Sequence, residues 1–501
     1  MLHYLGKVEI LSNSFFGAVE DWLQEISERD SAPSIISLNM RFEKTTGVPV
    51  AREELYAWHM RRGAFERLTP PWQDIRIVER RGRPDEEGSR VELSVPLGPW
   101  RTRWIAEHTD VVPGHMFRDV QARGPFQSWE HTHRFLDNGS ESTLVDEVTY
   151  ELPFGSLGRT LADRRVSLDL ERVFRYRHRI TAGDLEAHAR YADRPRMRIL
   201  VTGASGLLGT ALQSFLSTGG HEVIALSRAI RSRAGVRHWD PESGSIDISV
   251  FEGIDAVVHL AGESIASRRW TQHQKRRILE SRVRGTKLLC DTIARLRDKP
   301  RVLVSASAIG IYGDRGIEAL DEYSSVDPEE SFLSNVCREW ERATEGVQDD
   351  VRIVQLRTGI VLSPRGGALA RMLLPFRFGV GGKVGSGKQF MSWISIDEYV
   401  AVVLHSLMTE SLHGPVNAVS PTPVSNREFT AALGRTLRRP ALLPLPGVVA
   451  RAALGELARE LLLASARVVP RKLVESQYKF QYPELAPVLD HLLGAESSSL
   501  S

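Results

Sequence analysis

The run Met197-Arg198-Ile199-Leu200-Val201-Thr202-Gly203-Ala204-Ser205-Gly206-Leu207-Leu208-Gly209 constrains this chain more than any other segment. A short aliphatic strand pattern ends in a glycine, and three glycines spaced GxxGxxG lead into a helical pattern that begins near Thr210. In a parallel α/β sheet each glycine has a task. Gly203 permits the tight turn, Gly206 lets a backbone approach a pyrophosphate, and Gly209 allows close strand-to-helix packing. The helix N-terminus adds N–H donors and the positive end of a dipole. Ser205, Leu207 and Leu208 complete the loop. Downstream, short aliphatic strands over 222–226, 256–260, 302–305 and 352–356 alternate with helical stretches, the pattern of a doubly wound parallel sheet.

The strand over 222–226 runs into Ser227-Arg228, where a site selective for NAD places Asp or Glu on the ribose 2′-hydroxyl. A hydroxyl and a guanidinium suit a 2′-phosphate instead, so the expected cofactor is NADP in preference to NAD. The strand over 256–260 closes on Leu260-Ala261-Gly262, where small residues let the backbone pass close to the adenosine side.

The 501 residues exceed one hydrophobic core, so two or three domains are expected. With 42% hydrophobic and 26% charged residues the chain reads as a folded globular protein. A net charge of +2 supplies no overall field toward nucleic acid, and none is expected as a partner. No uncharged apolar run reaches the length of a bilayer crossing, and the first residues read as no signal peptide. Cys290 and Cys337 belong to no CxxC or Cys/His cluster, which fits a reducing cytoplasm.

Before residue 195 the pattern differs. Segments such as SRVELSVPL, RTRWIAEHTDVV, HTHRFLD and STLVDEVTYELP alternate polar with apolar residues and are separated by turn residues, the signature of an antiparallel meander. A short helix is expected around 51–59 and a long one from about 158 to 192, whose stripe of Leu161, Val166, Leu168, Leu170, Val173 and Phe174 would be buried against a curved sheet. The polar stretch 192–196 marks the boundary. From about 411 the pattern is mostly helical with proline-rich joints, a small cap, and no internal repeat is found.

The motifs TGASGLLG, HLAGE, SASAIGIYG, LRTGIVLSPRGGAL, GVGGKVGSGKQFMSWI, PVSNREF and YPEL, spread over about 197–490, resemble the atypical short-chain dehydrogenase/reductases called epimerase family proteins. The resemblance implies contacts to NADP from Ser227, Arg228, Leu260, Ala261, Arg282 and Val361. Where relatives can carry a glutamate contact this chain has Arg277, a departure from the family pattern. The segments around Trp58–Trp72, Gly124–His133 and Phe174–His178 resemble the START-like, polyketide cyclase-type (SRPBCC) domain fused to some of these reductases. That resemblance implies a helix-grip fold with a cavity for a small apolar ligand. The expected architecture is therefore an α+β helix-grip domain, an α/β Rossmann-type doubly wound sheet, and a small mostly helical C-terminal cap. The domain reading is 1–32 an unassigned extension, 33–194 helix-grip, 197–410 NADP-binding, 411–492 cap and 493–501 tail.

Chemistry is harder to read. Ordinary members of the superfamily use a Tyr whose pKa is lowered by a Lys four residues on, assisted by a Ser. None of the ten tyrosines has Lys at that spacing. On the helix through Phe332–Glu341, Leu333 falls where Tyr belongs and Cys337 where Lys belongs. Ser307, Tyr312 and Glu263 are the substitutes, against a capping role for Ser307, a cleft-floor role for Tyr312 and an ion pair with Arg268 or Arg269 for Glu263. Gly382–Gln389 nearly spells a phosphate loop, but Gln389 stands where a magnesium-binding Ser or Thr is needed and a strand follows, so a flexible substrate-side loop is expected. His131 and His133 share one strand face and suggest a metal together with His115, yet spacing fixes no third ligand, and no metal is expected. The sequence thus supports an NADP-dependent oxidoreductase or epimerase acting on a small, hydrophobic molecule, or else a non-catalytic NADP sensor.

Overall fold

The computed structural model describes residues 39–153, 155–228 and 235–495; the extension expected over 1–32 lies outside them. The chain divides into two compact units: 1–60 with 73–178, and 61–72 with 179–501.

The first unit is a seven-stranded antiparallel sheet built from β1 (Met40–Val48), β2 (Arg76–Arg81), β3 (Arg90–Leu97), β4 (Trp100–Val112), β5 (Met116–Arg123), β6 (Ser128–Asn138) and β7 (Glu141–Glu151). The order is β1-β7-β6-β5-β4-β3-β2, a meander closed at one edge by the first strand. Helix α1 (Arg52–Met60) precedes β2, and a long helix, Gly155–Ala189, follows β7. Alternation explains the pairing: along β7 every second residue from Ser142 to Tyr150 is buried. Leu170 and Phe174 of the long helix pack on Val148, Tyr150 and Leu152, with Val166 and Val173 at the margin. Leu168, expected in that stripe, is exposed, because it lies on the helix face turned away from the sheet.

In the second unit α2 (Ala64–Leu68) precedes an eight-stranded sheet. Its strands are β8 (Arg198–Thr202), β9 (Glu222–Ser227), β10 (Val236–Asp240), β11 (Ser245–Ile246), β12 (Ala256–His259), β13 (Val302–Ala308), β14 (Arg352–Thr358) and β15 (Gly414–Ala418). The order is β11-β10-β9-β8-β12-β13-β14-β15, parallel except for the β10–β11 pair. The strand order reverses direction between β8 and β12, the place where such sheets bind ligands. Both faces are covered. Ile199, Val201, Val258, Val304 and Val354 face a core shared with the fully buried helix Ile396–Met408, while Leu200, Val257 and Leu303 face Leu289 and Ile293 of the helix Gln272–Ala294. The sheet also runs past residue 410: β15 pairs with β14, and Pro415 is tolerated because β15 is an edge strand. Beyond it, Phe429, Leu433, Val488, Leu489 and Leu492 form the core of the cap with Leu369, Leu373 and Trp393.

A buried ion network ties the start and end of this unit. Arg67 of α2 donates to both carboxylate oxygens of Asp184, at 2.8 and 2.6 Å, and to Asp397 Oδ1 at 2.8 Å. Asp397 Oδ2 lies 3.2 Å from His491 Nε2.

Candidate functional site: a nucleotide cradle at the switch point

Gly203 ends β8 with φ +67°, a conformation that suits glycine. A Cβ there would meet the Leu260 carbonyl carbon and oxygen at 2.7 Å, so the turn after β8 and the end of β12 touch backbone to backbone. At Gly209 a Cβ would stand 2.3 Å from Gly203 O and 2.7 Å from Ala204 Cα. Gly206 is different: its φ is −77° and its nearest neighbour, Gly203 O, would be 3.2 Å from a Cβ. It is the N-cap of helix Leu207–Thr218, exposed and with no side-chain cap. The first N–H groups of that helix therefore have no capping oxygen, and the free space above them is what a phosphate occupies in such folds.

Thr202 binds the two strand ends together. Its hydroxyl accepts from the Leu260 and Ala261 N–H groups, both at 3.2 Å, and lies 2.7 Å from His259 Nδ1. With two donors already on the oxygen, its proton goes to Nδ1, so His259 carries its own proton on Nε2. Burial, aided by the nearby Arg282 charge, lowers this imidazole to about 3, and it is neutral.

The other expected contacts surround this cradle. Arg282 donates to Glu263 O at 2.9 Å and Ile278 O at 3.0 Å, and its guanidinium carbon lies 4.8 Å from the Trp340 ring centre. Burial lowers it to about 10, which leaves it charged at neutral pH. A Cβ on Gly262 would come 3.2 Å from that guanidinium carbon, so Arg282 lies against the loop after β12. Val361 sits in the strand Ile360–Leu362, and Gly366 and Gly367 close on the Leu207 side chain from the same segment. Ser227 ends β9 and the exposed Arg228 follows it. The structure thus brings Gly203, Gly206, Gly209, Leu207, Leu260, Ala261, Arg282 and Val361 together, with Ser205 exposed on the loop and Leu208 part-buried on the helix behind it.

The three substitutes for acid/base chemistry occupy two places. Ser307 on β13 is buried and donates to Glu341 Oε1 at 2.7 Å. Glu341 is clasped by Arg357 through Nε to Oε1 and Nη2 to Oε2, both 2.9 Å. Arg357 also donates to the Tyr312 hydroxyl at 3.0 Å, and that hydroxyl donates to Asn417 Oδ1 at 2.9 Å. The Asn417 N–H in turn reaches Glu322. Burial pushes the Tyr312 phenol above its ordinary range despite the Arg357 charge. Glu263 lies apart, on the loop after β12, with Arg277 and Gln274 each 3.4 Å from its carboxylate; Arg268 and Arg269 are not its partners.

Leu333 and Cys337 flank Gly310, whose added Cβ would lie 3.2 Å from Leu333 Cβ and 4.0 Å from Cys337 Sγ. Burial raises the Cys337 thiol to about 12, so the position where a lysine would act holds an un-ionised group. The Gly382–Gln389 stretch is tied down: Val384 N–H reaches Asn426 Oδ1 at 2.8 Å, and the Gln389 amide donates to Val384 O and Leu462 O, each at 3.0 Å. The segment after it enters a short strand, Phe390–Met391. What sequence reasoning missed is the Glu341–Arg357–Asn417 network and the Thr202–His259 clasp. Thr202 could have been found, since it is the only polar side chain inside the β8 run that reaches the turn.

No helix among the described residues is long and apolar enough to cross a membrane.

Residues 199–417 match the NAD dependent epimerase/dehydratase family, 445–492 a domain of unknown function (DUF1731), and 48–171 the polyketide cyclase/dehydrase and lipid transport family. An epimerase family protein of Mycobacterium bovis is 39% identical over 294 residues, 58% of this chain and 96% of the relative. The crystal structure of a nucleoside-diphosphate sugar epimerase from Corynebacterium glutamicum is 33% identical, covers 90% of both chains and superposes with TM-score 0.74. The human epimerase family protein SDR39U1 (isoform 2), crystallised with NADPH, is 36% identical over 59% of this chain and 99% of its own, with TM-score 0.55.

Proposed function

We propose that this chain, which belongs to the NAD dependent epimerase/dehydratase family and has an N-terminal polyketide cyclase-type domain and a C-terminal DUF1731 domain, uses NADP(H) in preference to NAD(H). The observation that carries the reading is the cradle itself: glycines 203 and 209 are locked by backbone contact, while Gly206 and the uncapped helix behind it remain open. The residues fit a dinucleotide. The Leu207–Thr218 helix N-terminus holds the pyrophosphate, Leu260, Ala261 and Val361 flank the adenosine and nicotinamide sides, and Ser227 with Arg228 holds a 2′-phosphate. The crystallisation of the human relative with NADPH supports that choice. When bound, such a cofactor supplies hydride transfer.

The chain's own residues limit what accompanies that hydride. The Tyr312 hydroxyl is both donating and accepting, and the Ser307 hydroxyl is donating to a carboxylate, so neither offers a free proton. Glu263 is the one of these three candidates whose side chain is partly exposed, and it stands 3.4 Å from Arg277. We assign it the role of proton acceptor or substrate-orienting carboxylate, in an oxidoreductase or epimerase whose substrate is a small, apolar molecule bound with the help of the first domain. The second reading, a non-catalytic NADP(H) sensor, is favoured by Leu333 and Cys337 at the positions of the usual Tyr and Lys.

Titration of the purified full chain with NADPH and NADH, followed by nicotinamide fluorescence, tests the cofactor reading. NADPH is expected to bind tighter, and Arg228→Glu to reverse the order; equal or tighter binding of NADH by the native chain refutes the 2′-phosphate argument. Deuterium transfer from labelled NADPH into a metabolite extract separates enzyme from sensor: transfer lost in Glu263→Gln supports the first, and no transfer from a chain that binds NADPH supports the second.

A further inference from the structure

The first unit buries a cluster of titratable groups on the sheet face beneath the long helix. Asp119 comes from β5, His131 and His133 from β6, Asp146 from β7, and Arg177 and His178 from the helix. His131, His133, Asp146 and His178 are all less than a tenth exposed, whereas the Asp119 side chain is 17% exposed. Register explains the gathering: Asp119 pairs with His131, and Asp146 with His133, while the two-residue spacing puts both histidines on the inner face. His115, at the turn before β5, is exposed and turned to Pro113 O, so it belongs to no such cluster.

Each histidine divides its nitrogens in the same way. His131 Nδ1 and His133 Nε2 face one oxygen of Asp119, at 3.4 and 3.6 Å. His131 Nε2 and His133 Nδ1 face one oxygen of Asp146, at 3.4 and 2.6 Å. The second Asp146 oxygen meets His178 Nε2 at 2.9 Å, and His178 Nδ1 meets Thr46 Oγ1 at 2.8 Å. Yet His131 Nε2, His133 Nδ1 and Asp146 Oδ1 are buried without an aligned hydrogen bond, which is costly for groups of this polarity.

Both histidine-to-Asp119 spacings suit ligands around one ion, and the three donor atoms all lie within 4.8 Å of one another. Nitrogen and oxygen donors held at about 2.0–2.1 Å in a tetrahedral zinc site stand roughly 3.3 Å from one another. On the Asp146 side one carboxylate oxygen stands beside the second ring nitrogen of each histidine, at 3.4 and 2.6 Å, the place an outer carboxylate takes in such sites. Asp119 and Asp146 lie near Arg177, and the negative charge left over in this buried setting is balanced by one further positive charge, either a bound cation or a proton on His131. His59, whose ring lies 5.9 Å from that of His133, does not supply it: burial lowers this imidazole to about 4. Phe117 stacks on His133 at 4.1 Å and Phe174 stands edge-on to His131 at 5.1 Å, giving the cluster apolar walls.

We propose that Asp119, His131 and His133 bind one divalent transition-metal ion of the zinc type, that Asp146 and His178 orient the two imidazoles, and that a fourth position opens on the partly exposed Asp119 side. Three protein ligands and an open position make a site able to polarise the oxygen of a ligand, not a closed structural one. The competing occupant of the same space is a proton, which would make His131 an imidazolium held between the two carboxylates.

The test uses the full chain, stripped with a chelator and titrated with Co2+ at neutral pH. One equivalent per chain is expected, with the visible absorption of tetrahedral cobalt and its loss on adding Zn2+. Asp119→Asn, at the part-exposed position, is expected to abolish uptake with an unchanged far-ultraviolet circular dichroism spectrum. Asp146→Asn is expected to weaken it by roughly 10–100-fold. His115→Ala is expected to leave it unchanged. No saturable uptake by the native chain, or uptake by a folded Asp119→Asn equal to native, overturns the proposal and leaves the proton as occupant. Loss of uptake in His115→Ala overturns it too, by moving the ion to the surface.

Discussion

Arg357 holds Glu341 by two parallel bonds of 2.9 Å, Nε to Oε1 and Nη2 to Oε2, with both side chains nearly buried. The pair lies directly beneath Ser307 and beside Tyr312, so the two hydroxyls suggested by sequence are held by it. Removing one partner of a buried pair leaves an uncompensated charge, at a cost of about 3–5 kcal/mol. Glu341→Gln should therefore lower unfolding free energy by roughly that amount. Tyr312→Phe leaves the pair intact and orphans Asn417 Oδ1 and one Arg357 N–H, so a smaller loss of about 1–3 kcal/mol is expected. Urea unfolding of the two variants checks the order; a larger loss in Tyr312→Phe would place the anchor of the network at the phenol.

The three loop glycines are predicted to separate folding from binding. Gly203→Ala drives a methyl into the Leu260 carbonyl at a positive φ, so both thermal stability and NADPH binding should fall. Gly206→Ala meets only Gly203 O at 3.2 Å, with an ordinary φ. It should melt within a few degrees of the native chain yet bind NADPH at least tenfold more weakly, because the methyl occupies the space above the helix N-terminus. Melting curves and fluorescence titrations on the same samples decide it; full binding by Gly206→Ala would remove the pyrophosphate from this loop.

Much of this arrangement was legible from residues alone because backbone constraints are local. The GxxGxxG spacing, the β-branched runs and the alternation in β6 and β7 each depend on neighbours within a few positions. Three features were not legible. The strand Gly414–Ala418 carries a proline and belongs to the sheet only through pairing with β14. Asp119 joins His131 and His133 only through strand register, which sequence spacing does not encode. Residues 61–72 join the second unit because Arg67 meets Asp184 and Asp397, partners more than a hundred positions away.

Glu398 gives a pH dependence with a definite sign. Burial raises this carboxyl to about 7 against an ordinary value of 4.5, although it accepts from the Tyr478 hydroxyl and from the Tyr482 N–H at 2.7 Å. A carboxyl with a raised folded-state pKa binds its proton more readily when folded, so its contribution is present below about pH 4.5 and lost as pH rises toward 7. Glu398→Gln mimics the protonated acid and does not ionise. The melting temperature of the native chain minus that of the variant should therefore fall between pH 5 and pH 8. A difference that grows with pH would mean that the ionised carboxylate is the stabilising form.

Arg67 should behave as the shared counter-charge of two buried carboxylates. Asp184 is raised to about 6 by burial even with the guanidinium beside it, while Asp397 is held below its ordinary range by Arg67 and His491 against the same burial. Arg67→Met leaves both without their cation, so a loss of about 3–5 kcal/mol is expected at pH 8, and less at pH 5, where Asp184 takes up a proton. Adding Asp184→Asn to Arg67→Met should recover part of the loss, since it removes one of the stranded charges. The coupling is read from urea unfolding of the two single variants and the double variant at both pH values. Additive losses at pH 8 would show that Arg67 acts through packing of its aliphatic stem, whereas a double variant more stable than Arg67→Met alone is the signature of charge.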